Sequence, residues 1–197
     1  RAALQKITYF RGLEAYSAGD MRAAQRYLAE SAAINVSPKY SALNSFWQGE
    51  IAFAQGDYTV AAAKYNAYLK RAPCSEDEYA MALYNLGYCD FSRKDMAGAR
   101  SSFEKFLEAY PARDRYRADA YNRLGDIRYS DREFEAAVGD YDRAVALNTP
   151  ERYYAQYKRA VTLGILGRTE PKLQALRQIV AAGQGDYVDA ASYELGR

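Results

Sequence analysis

The chain has 197 residues, of which 49% are hydrophobic and 26% are charged, a balance typical of a folded protein with one core or several short repeats. Its formal net charge is only +2, and acidic and basic residues are mixed along the whole length. No block of like charge therefore predicts a nucleic-acid arm or a membrane-surface helix. No apolar run approaches the roughly 20 residues that a membrane-spanning helix needs.

The two cysteines do not predict a disulfide. Cys74 follows a loop signal at Pro73, and Cys89 lies far along the helix expected next. Fifteen residues of mostly helical chain separate the two by roughly 20 Å, whereas a disulfide needs Cα atoms within about 7 Å. We expect Cys89 to be a small buried residue.

An internal repeat is the dominant feature of the sequence. A glycine recurs at intervals of 37, 38 and 38 residues, namely Gly12, Gly49, Gly87 and Gly125. An alanine follows each glycine by twelve residues: Ala24, Ala61, Ala99 and Ala137. Four residues later comes a bulky side chain: Leu28, Tyr65, Phe103 and Tyr141.

Each repeat predicts two helices joined by a tight turn, because apolar and small residues recur at three- and four-residue steps. In the first helix of the third repeat only Asp90 breaks that pattern. Gly can end a helix in the left-handed conformation and Asp can cap the next one. The predicted turns are Gly19-Asp20, Gly56-Asp57, Lys94-Asp95 and Arg132-Glu133, and Pro73, Pro111 and Pro150 mark the ends of second helices.

The later repeats are less regular. A capping box is predicted at 75–78, where the third repeat begins. In a fifth repeat Ala160 replaces the glycine and Lys172 the alanine, while Thr169 is expected to cap its second helix. A sixth repeat stops in mid-helix, and the first residue is not Met, so we expect a fragment of a longer protein. The predicted repeats span about 5–38, 42–74, 80–112, 118–150 and 153–183, with a partial sixth at 189–197.

The small residues have a physical reason. Two helices that approach closely leave no room for a side chain larger than Ala at Gly87 or Ala99, and large residues such as Phe103 fill the remaining space. Leucine at either small position is expected to destabilise the chain by roughly 1–3 kcal/mol through overpacking.

These units resemble tetratricopeptide repeats over nearly the whole chain. The third repeat carries the family pattern almost in full at Leu83, Leu86, Gly87, Ala99 and Phe103, followed by Pro111. The resemblance implies an all-α, right-handed superhelical solenoid of antiparallel helix pairs, here a single array over 1–197. The segment 106–111, Phe-Leu-Glu-Ala-Tyr-Pro, is also similar to long-unit repeats of bacterial cell-envelope proteins, such as outer-membrane assembly lipoproteins and periplasmic coordinators of Tol–Pal systems.

In such arrays the first helices line a concave face that holds a peptide or a partner helix. The face-directed positions, counted from the repeated glycine, predict an aromatic groove with a few carboxylates, suited to an apolar or aromatic peptide that brings basic residues to Glu50 and Asp126. The same aromatic stripe is also what packing between neighbouring helices would produce. The predicted partner-binding residues are Tyr9, Tyr16, Phe46, Glu50, Phe53, Tyr84, Tyr88, Phe91, Asn122, Asp126, Tyr129 and Tyr157, with Leu13 and Tyr154 extending the rows.

The sequence therefore favours a protein-interaction scaffold over an enzyme. With no His, the commonest general base and metal ligand is missing, and we expect neither a catalytic site nor a metal or other cofactor. The clamp for a terminal carboxylate found in chaperone-binding relatives is also absent, because Tyr9, Leu13, Phe46 and Glu50 stand at its positions.

Two alternatives to the scaffold hypothesis stay open. One is a structural spacer for a domain outside this fragment. The other is a helical repeat that binds RNA, which the near-zero net charge and the aromatic groove disfavour. The envelope resemblance favours a periplasmic or outer-membrane-associated location over a cytoplasmic one, and it is compatible with a membrane-associated parent protein. The sequence does not predict the oligomeric state.

Overall fold

The computed structural model describes residues 1–73 and 77–196. Over those residues the chain forms eleven helices and no strand, which confirms the predicted all-α class. None of the described helices is both long and apolar enough to cross a membrane. In chain order the helices are α1 (Ala2–Ser17), α2 (Met21–Ile34), α3 (Pro38–Ala54), α4 (Tyr58–Leu69), α5 (Asp77–Ser92), α6 (Met96–Ala109), α7 (Arg115–Ser130), α8 (Phe134–Ala146), α9 (Arg152–Ile165), α10 (Thr169–Ala182) and α11 (Val188–Leu195).

The helices fall into two compact units. The N-terminal unit, residues 1–109, contains α1 to α6, and the C-terminal unit, residues 110–197, begins before α7. The boundary lies three residues before the end of the predicted third repeat, and the single array over 1–197 stays a prediction. Cys74 and the first two residues of the predicted capping box at 75–78 lie outside the described residues.

The turns inside the repeats share one backbone conformation. The residue seven positions after the glycine, or after Ala160, has a positive φ of 62° to 79° in all five repeats. The next residue donates its backbone N–H to a carbonyl five residues earlier, at 2.8–2.9 Å, which closes the first helix. Glycine meets this demand at three turns, whereas Lys94 and Arg132 adopt the left-handed conformation with a side chain. The predicted turns are therefore confirmed.

The start of the second helix differs between the units. Asp20, Asp57 and Asp95 each accept a hydrogen bond from the backbone N–H three residues on, at 2.9–3.0 Å. Glu133 and Arg168 occupy the same place in the C-terminal unit without a side-chain capping bond. The prediction that Thr169 caps α10 was wrong, because Gly167 takes the left-handed turn position and so places residue 168 at the cap.

The repeated glycines lie against the bulky residue sixteen positions later. A Cβ atom added at Gly87 would come within 2.9 Å of the Phe103 ring, and one added at Gly125 within 2.5 Å of the Tyr141 ring. Both distances are too short for a real contact, so only glycine allows this approach. The four repeated alanines are completely buried. The register predicted from the sequence is thus the register in which the helices pack.

Buried polar contacts fix α1 against the start of α3. The Gln5 amide donates from Nε2 to the Ser41 hydroxyl at 3.2 Å. Its Oε1 accepts from the backbone N–H groups of Val36 and Ser37 at 3.0 and 2.7 Å. Gln5 thereby satisfies backbone donors at the entry to α3, which would otherwise be costly to bury. Two neighbouring first helices are held in register by this one side chain.

Cys89 is a free, fully buried thiol, as the sequence predicts. Burial raises its pKa to about 12, and the nearby Asp90 carboxylate acts in the same direction. The thiol therefore stays protonated and unreactive at neutral pH.

Candidate partner-binding site

The twelve predicted partner-binding residues all lie on first helices, but they are not equally accessible. Tyr9, Phe46 and Asn122 are buried, with 3%, 5% and 2% of their surface exposed. The other nine are half-buried: Tyr16, Glu50, Phe53, Tyr84, Tyr88, Phe91, Asp126, Tyr129 and Tyr157. The surface available to a partner is therefore narrower than the predicted groove.

A cluster of rings joins the first two repeats of the N-terminal unit around Trp47. The indole Nε1–H of Trp47 donates to the Tyr9 hydroxyl at 3.0 Å. Tyr16 meets the indole edge-on at a centroid distance of 5.1 Å, and Phe46 does so at 5.3 Å. Burial raises the pKa of Tyr9 to about 12. Tyr9 is thus a neutral hydrogen-bond partner inside the cluster rather than an open binding group.

Phe46 is a packing residue. Its ring lies 5.4 Å from the Tyr68 ring and 6.1 Å from the Tyr65 ring, both of which belong to α4 and are fully buried. Such tilted aromatic pairs bury area and add about 0.5–1.5 kcal/mol beyond it. For Phe46 and Tyr9, the aromatic positions on the first helices therefore serve packing between neighbouring helices, the alternative that the sequence left open.

Tyr84 and Tyr88 combine a packed side with an accessible one. The two rings contact each other edge-on at 5.2 Å, and Tyr88 also meets Phe103 at 5.4 Å. Tyr84 packs on Phe106 at 5.1 Å. Phe103 and Phe106 are completely buried, so the two half-buried tyrosines rest on a fixed base. Their orientation is set before any partner arrives.

Glu50 belongs to a hydrogen-bonded triad. Its Oε1 accepts from the Tyr65 hydroxyl at 2.6 Å and from the Asn85 amide at 2.7 Å. Burial, followed by the adjacent negative charge, raises the pKa of Tyr65 far above its ordinary value. The Glu50 carboxylate therefore links α3, α4 and α5 through hydrogen bonds and does not need a basic residue of a ligand as its partner.

Asp126 occupies the same position in the C-terminal unit. Its Oδ1 accepts from the Tyr141 hydroxyl at 2.9 Å and from the Tyr154 hydroxyl at 2.6 Å. Arg123 Nη1 lies 2.9 Å from Oδ2, and Lys158 Nζ lies 3.6 Å from Oδ1. Both predicted acidic binding residues are thus already engaged by side chains of their own unit.

Tyrosines and cations alternate beside Asp126. Lys158 Nζ lies 4.4 Å from the centre of the Tyr129 ring, a distance that favours a cation–π contact. Tyr157 stacks on Tyr187 with centroids 5.3 Å apart and planes 20° apart. Tyr154 meets the same Tyr187 ring edge-on at 5.8 Å. This face is more polar than the ring cluster around Trp47.

Asn122 is a structural residue in this arrangement. Its Nδ2 donates to the backbone carbonyl of Glu151 at 3.1 Å, which links α7 to the residue before α9. Its Oδ1 is buried and has no hydrogen-bond partner.

Two further predicted residues pack against the first residue of the second helix in their repeats. The Phe53 ring lies 5.5 Å from the Tyr58 ring, and the Tyr129 ring lies 5.5 Å from the Phe134 ring.

The residue types that accompany Glu50 and Asp126 change together from one repeat to another. Where the residue after the repeated glycine is acidic, the bulky residue sixteen after the glycine is tyrosine, and the next repeat brings a donor two residues before its own glycine position. The triads are Glu50–Tyr65–Asn85 and Asp126–Tyr141–Lys158. In the first repeat the corresponding residues are Leu13, Leu28 and Trp47, and all three are apolar or aromatic. This pattern is visible in the sequence itself.

Trp47, Asn85, Arg123 and Lys158 are the residues that the sequence prediction missed. They share the position two before the glycine, which the predicted groove left out. Tyr187 was missed as well, because it precedes α11 in a stretch without helical periodicity.

Closely packed helix pairs repeated at intervals of 37 or 38 residues define a helical-repeat protein. A sequence model of the family described as tetratricopeptide repeat matches residues 9–76, 48–114 and 122–187. The chain belongs to the tetratricopeptide repeat family, a family of protein-interaction scaffolds. No curated protein matches the sequence.

Solved structures similar to this fold include tetratricopeptide proteins. One is YrrB, titled a TPR protein with an unusual peptide-binding site: the TM-score is 0.78 at 14% identity, over 95% of this chain and 91% of that one. A MamA crystal structure matches at a TM-score of 0.76 and 16% identity, over 92% of both chains. MamA from Desulfovibrio magneticus RS-1 matches at 0.70 and 22% identity, over 90% of this chain and 93% of that one. At these identities the likeness concerns the fold.

Proposed function

We propose that the chain is a scaffold that binds a peptide or a helix of a partner protein along its first helices, with half-buried aromatic rings as the anchors. The carrying observation is the arrangement of Tyr84 and Tyr88, whose inner edges are fixed by the buried rings of Phe103 and Phe106. A ring held in this way loses little conformational entropy when a partner covers its outer edge, and tyrosine is enriched among binding hot spots.

The ligand chemistry that fits this face is apolar or aromatic. Glu50 and Asp126 are engaged by tyrosine hydroxyls and by donors from the following repeat, so basic ligand residues are not required to neutralise them. Next to the tyrosines, Trp47 adds a large half-buried ring between Tyr16 and Phe46. A bacterial envelope assembly, suggested by the similarity of segment 106–111, is the setting we propose for such a partner.

Site-specific photocrosslinking tests the proposal. A photoreactive phenylalanine analogue is placed at Phe53 or Tyr88 on first helices, and at Tyr27 on the second helix α2 as a matched half-buried control. Capture of the same protein from the native host at Phe53 and Tyr88, but not at Tyr27, supports binding along the first helices. Capture only at Tyr27 contradicts it. Capture at none of the three positions supports the spacer alternative.

A substitution series then measures the anchor directly. Tyr88→Ala is expected to weaken binding of the captured partner about tenfold, the effect of losing a moderate hot spot. Tyr88→Phe keeps the edge contact with Phe103 and is expected to retain most of the affinity. Equal losses for both variants would indicate a role of the hydroxyl rather than of the ring.

A further inference from the structure

A cavity of about 210 Å³ lies in the N-terminal unit between the start of α3 and the end of α4, and it is called the α3–α4 cavity. Its floor is apolar and buried, because Ala42, Leu43 and Tyr68 are 5%, 6% and 0% exposed. None of the predicted partner-binding residues lines it. The cavity is therefore separate from the face proposed for peptide binding.

The size of the cavity limits what it can hold. Pockets that enclose a whole small molecule usually measure about 300–1,000 Å³. The α3–α4 cavity measures about 210 Å³ and so has room for one large side chain rather than for a complete cofactor or substrate. Because the floor is apolar, an aliphatic or aromatic side chain fits it, and such a side chain leaves no polar group unsatisfied when it is buried.

Two prolines belong to the rim of the cavity. Pro38 lies in the first turn of α3, and Pro73 follows the end of α4. The pyrrolidine ring holds φ at about −65°, so the backbone of the rim has little freedom on either side. A cavity that is formed in advance costs little conformational entropy when a partner side chain enters it.

Two exposed cations complete the rim, Lys39 of α3 and Arg71 just after α4. Over the described part of the chain, neither side chain forms an ion pair or a hydrogen bond, and no described lining residue is acidic. The carbonyl end of α4 favours a cation at Arg71. Lys39 instead lies at the positive end of α3, which Ser37 does not cap with its side chain, and a cation is unfavourable there. Helix dipoles therefore do not account for Lys39.

The other repeats lack this pair of cations. Lys39 and Arg71 stand ten residues before and 22 residues after the repeated glycine. The corresponding pairs are Ala2 and Ile34, Asp77 and Ala109, Arg115 and Leu147, and Pro150 and Ala182. Arg115 is the one cation among them, and its guanidinium Nε lies 3.5 Å from a carboxylate oxygen of Glu151. The fold of the repeat thus does not require a cation at either position.

We propose that the α3–α4 cavity is a docking site for an acidic segment of a partner protein that carries one large apolar residue. The apolar side chain enters the cavity above Leu43 and Tyr68, and acidic side chains next to it in the partner pair with Lys39 and Arg71. Exposed ion pairs contribute little affinity, so the two cations select the partner while the buried side chain supplies most of the binding. The proposal does not depend on peptide binding along the first helices.

The test uses the isotope-labelled chain of 197 residues and short peptides with both ends blocked, so that only side chains carry charge. Two probes have leucine or phenylalanine between two pairs of glutamates. Matched peptides have serine at the centre, or glutamines in place of the glutamates. Amide NMR spectra follow binding, and we expect the probes to shift the signals of Lys39, Ala42 and Ala72. The serine peptide should bind at least about tenfold more weakly, which is the effect of losing one buried leucine.

Substitutions in the chain separate the two contributions. Lys39→Gln and Arg71→Gln should each weaken binding of the leucine probe roughly threefold, the effect of an exposed ion pair. Lys70→Gln is the matched control, because Lys70 is exposed and adjacent to Arg71 but does not line the cavity, and it should leave binding unchanged. Ala72→Phe places a ring at the rim of the cavity and should abolish binding without changing a charge.

Four results would overturn the proposal. The first is equal binding of the leucine and serine peptides, or equal effects of Arg71→Gln and Lys70→Gln, which would show non-specific adhesion of an acidic peptide. The second is no binding of either probe at millimolar concentration. The third is binding only by peptides with a free terminal carboxylate. The fourth is a dimer, seen by sedimentation without peptide, that Arg71→Gln dissociates, which would assign the cavity to a second copy. If circular dichroism shows that Ala72→Phe does not fold, the exposed glutamine variants decide alone.

Discussion

Asp90 of the N-terminal unit and Asp140 of the C-terminal unit are both buried carboxylates, 8% and 1% exposed, in very different surroundings. Asp140 lies between two guanidinium groups, those of Arg128 and Arg143. Asp90 has the exposed Arg93 at 3.5 Å on one side and the carboxylate of Asp95 as a neighbour on the other.

Asp90 and Asp140 each belong to a pair of residues that stand at equivalent positions in the third and fourth repeats. Three and fifteen residues after the glycine, the third repeat has Asp90 and Ser102, and the fourth has Arg128 and Asp140. The helix pair accepts either set because the glycine and alanine contacts define the packing. What differs is the neighbouring charge: burial raises the pKa of Asp140 as well, but the guanidinium groups of Arg128 and Arg143 lower it and so offset part of the electrostatic cost. Burial raises the pKa of Asp90, and the neighbouring Asp95 adds to that effect. Replacing Arg128 takes away one of the two guanidinium groups beside Asp140.

Arg128→Ala is expected to have the largest effect on stability, a loss of about 3 kcal/mol, since it leaves the buried Asp140 with only the exposed Arg143. Urea denaturation measures the loss. Arg143→Ala is the control, because that side chain is 59% exposed and its removal should cost less than about 1 kcal/mol. Equal losses for the two variants would show that Arg128 does not compensate Asp140.

Replacing Gly87 or Gly125 by alanine tests how closely the helix pair packs in each unit. Gly87 faces the Phe103 ring and Gly125 faces the Tyr141 ring, whose hydroxyl is bonded to Asp126 and cannot easily move. Gly125→Ala should therefore destabilise the chain more than Gly87→Ala, within roughly 1–3 kcal/mol.

The control for this pair is Gly139→Ala. Nothing lies within 4 Å of a Cβ atom at Gly139, and alanine there should stabilise α8 by about 0.5–1 kcal/mol. Thermal denaturation followed by circular dichroism ranks the three variants. A stabilising effect at Gly125 would contradict the packing register.

The pH dependence of Asp90→Asn tests the uncompensated carboxylate. Because the folded-state pKa of Asp90 is raised, its ionisation costs stability as the pH rises through that pKa. Below about pH 3 the carboxyl is protonated in both the folded and the unfolded chain, and the variant should match the parent. Towards about pH 7 the asparagine variant should become more stable, by on the order of 1 kcal/mol. A stability difference that stays constant over this range would show that burial does not disfavour the charge.

The smallest expected effect concerns the helix starts of the C-terminal unit. Glu133→Asp and Arg168→Asp would give α8 and α10 the capping bond that Asp57 provides for α4. Each should stabilise the chain by about 0.5–1 kcal/mol. Asp57→Ala is the reverse control, with a loss of similar size. Thermal denaturation that shows no gain for either new aspartate would mean that the turn geometry, rather than the residue, prevents capping.

Most of the fold could be predicted from the sequence, because Gly87, Ala99 and Phe103 recur with their counterparts at fixed spacing and each has one packing role. Thr169 was misplaced because its residue type suits a cap, while the position of the cap is set by the turn at Gly167. Local propensity was overridden by the geometry common to all repeats.

The candidate site was only partly predictable. Register alone places Phe46 and Tyr88 on the same face, yet Phe46 is buried by Tyr68 whereas Tyr88 remains half-buried. That difference depends on neighbours from other helices. The partners of Glu50 likewise come from α4 and α5, so a rule built on one helix misses them.

Amide hydrogen exchange of the chain with and without a peptide selected from a random library tests the binding face most directly. Binding along the first helices predicts slower exchange in α3 and α5, with α4 and α6 unchanged. At a peptide concentration near the Kd it also predicts that Tyr88→Ala removes most of the protection, while Tyr88→Phe keeps it. Protection confined to α4 and α6, or protection that survives Tyr88→Ala, would contradict the proposed role of the half-buried rings.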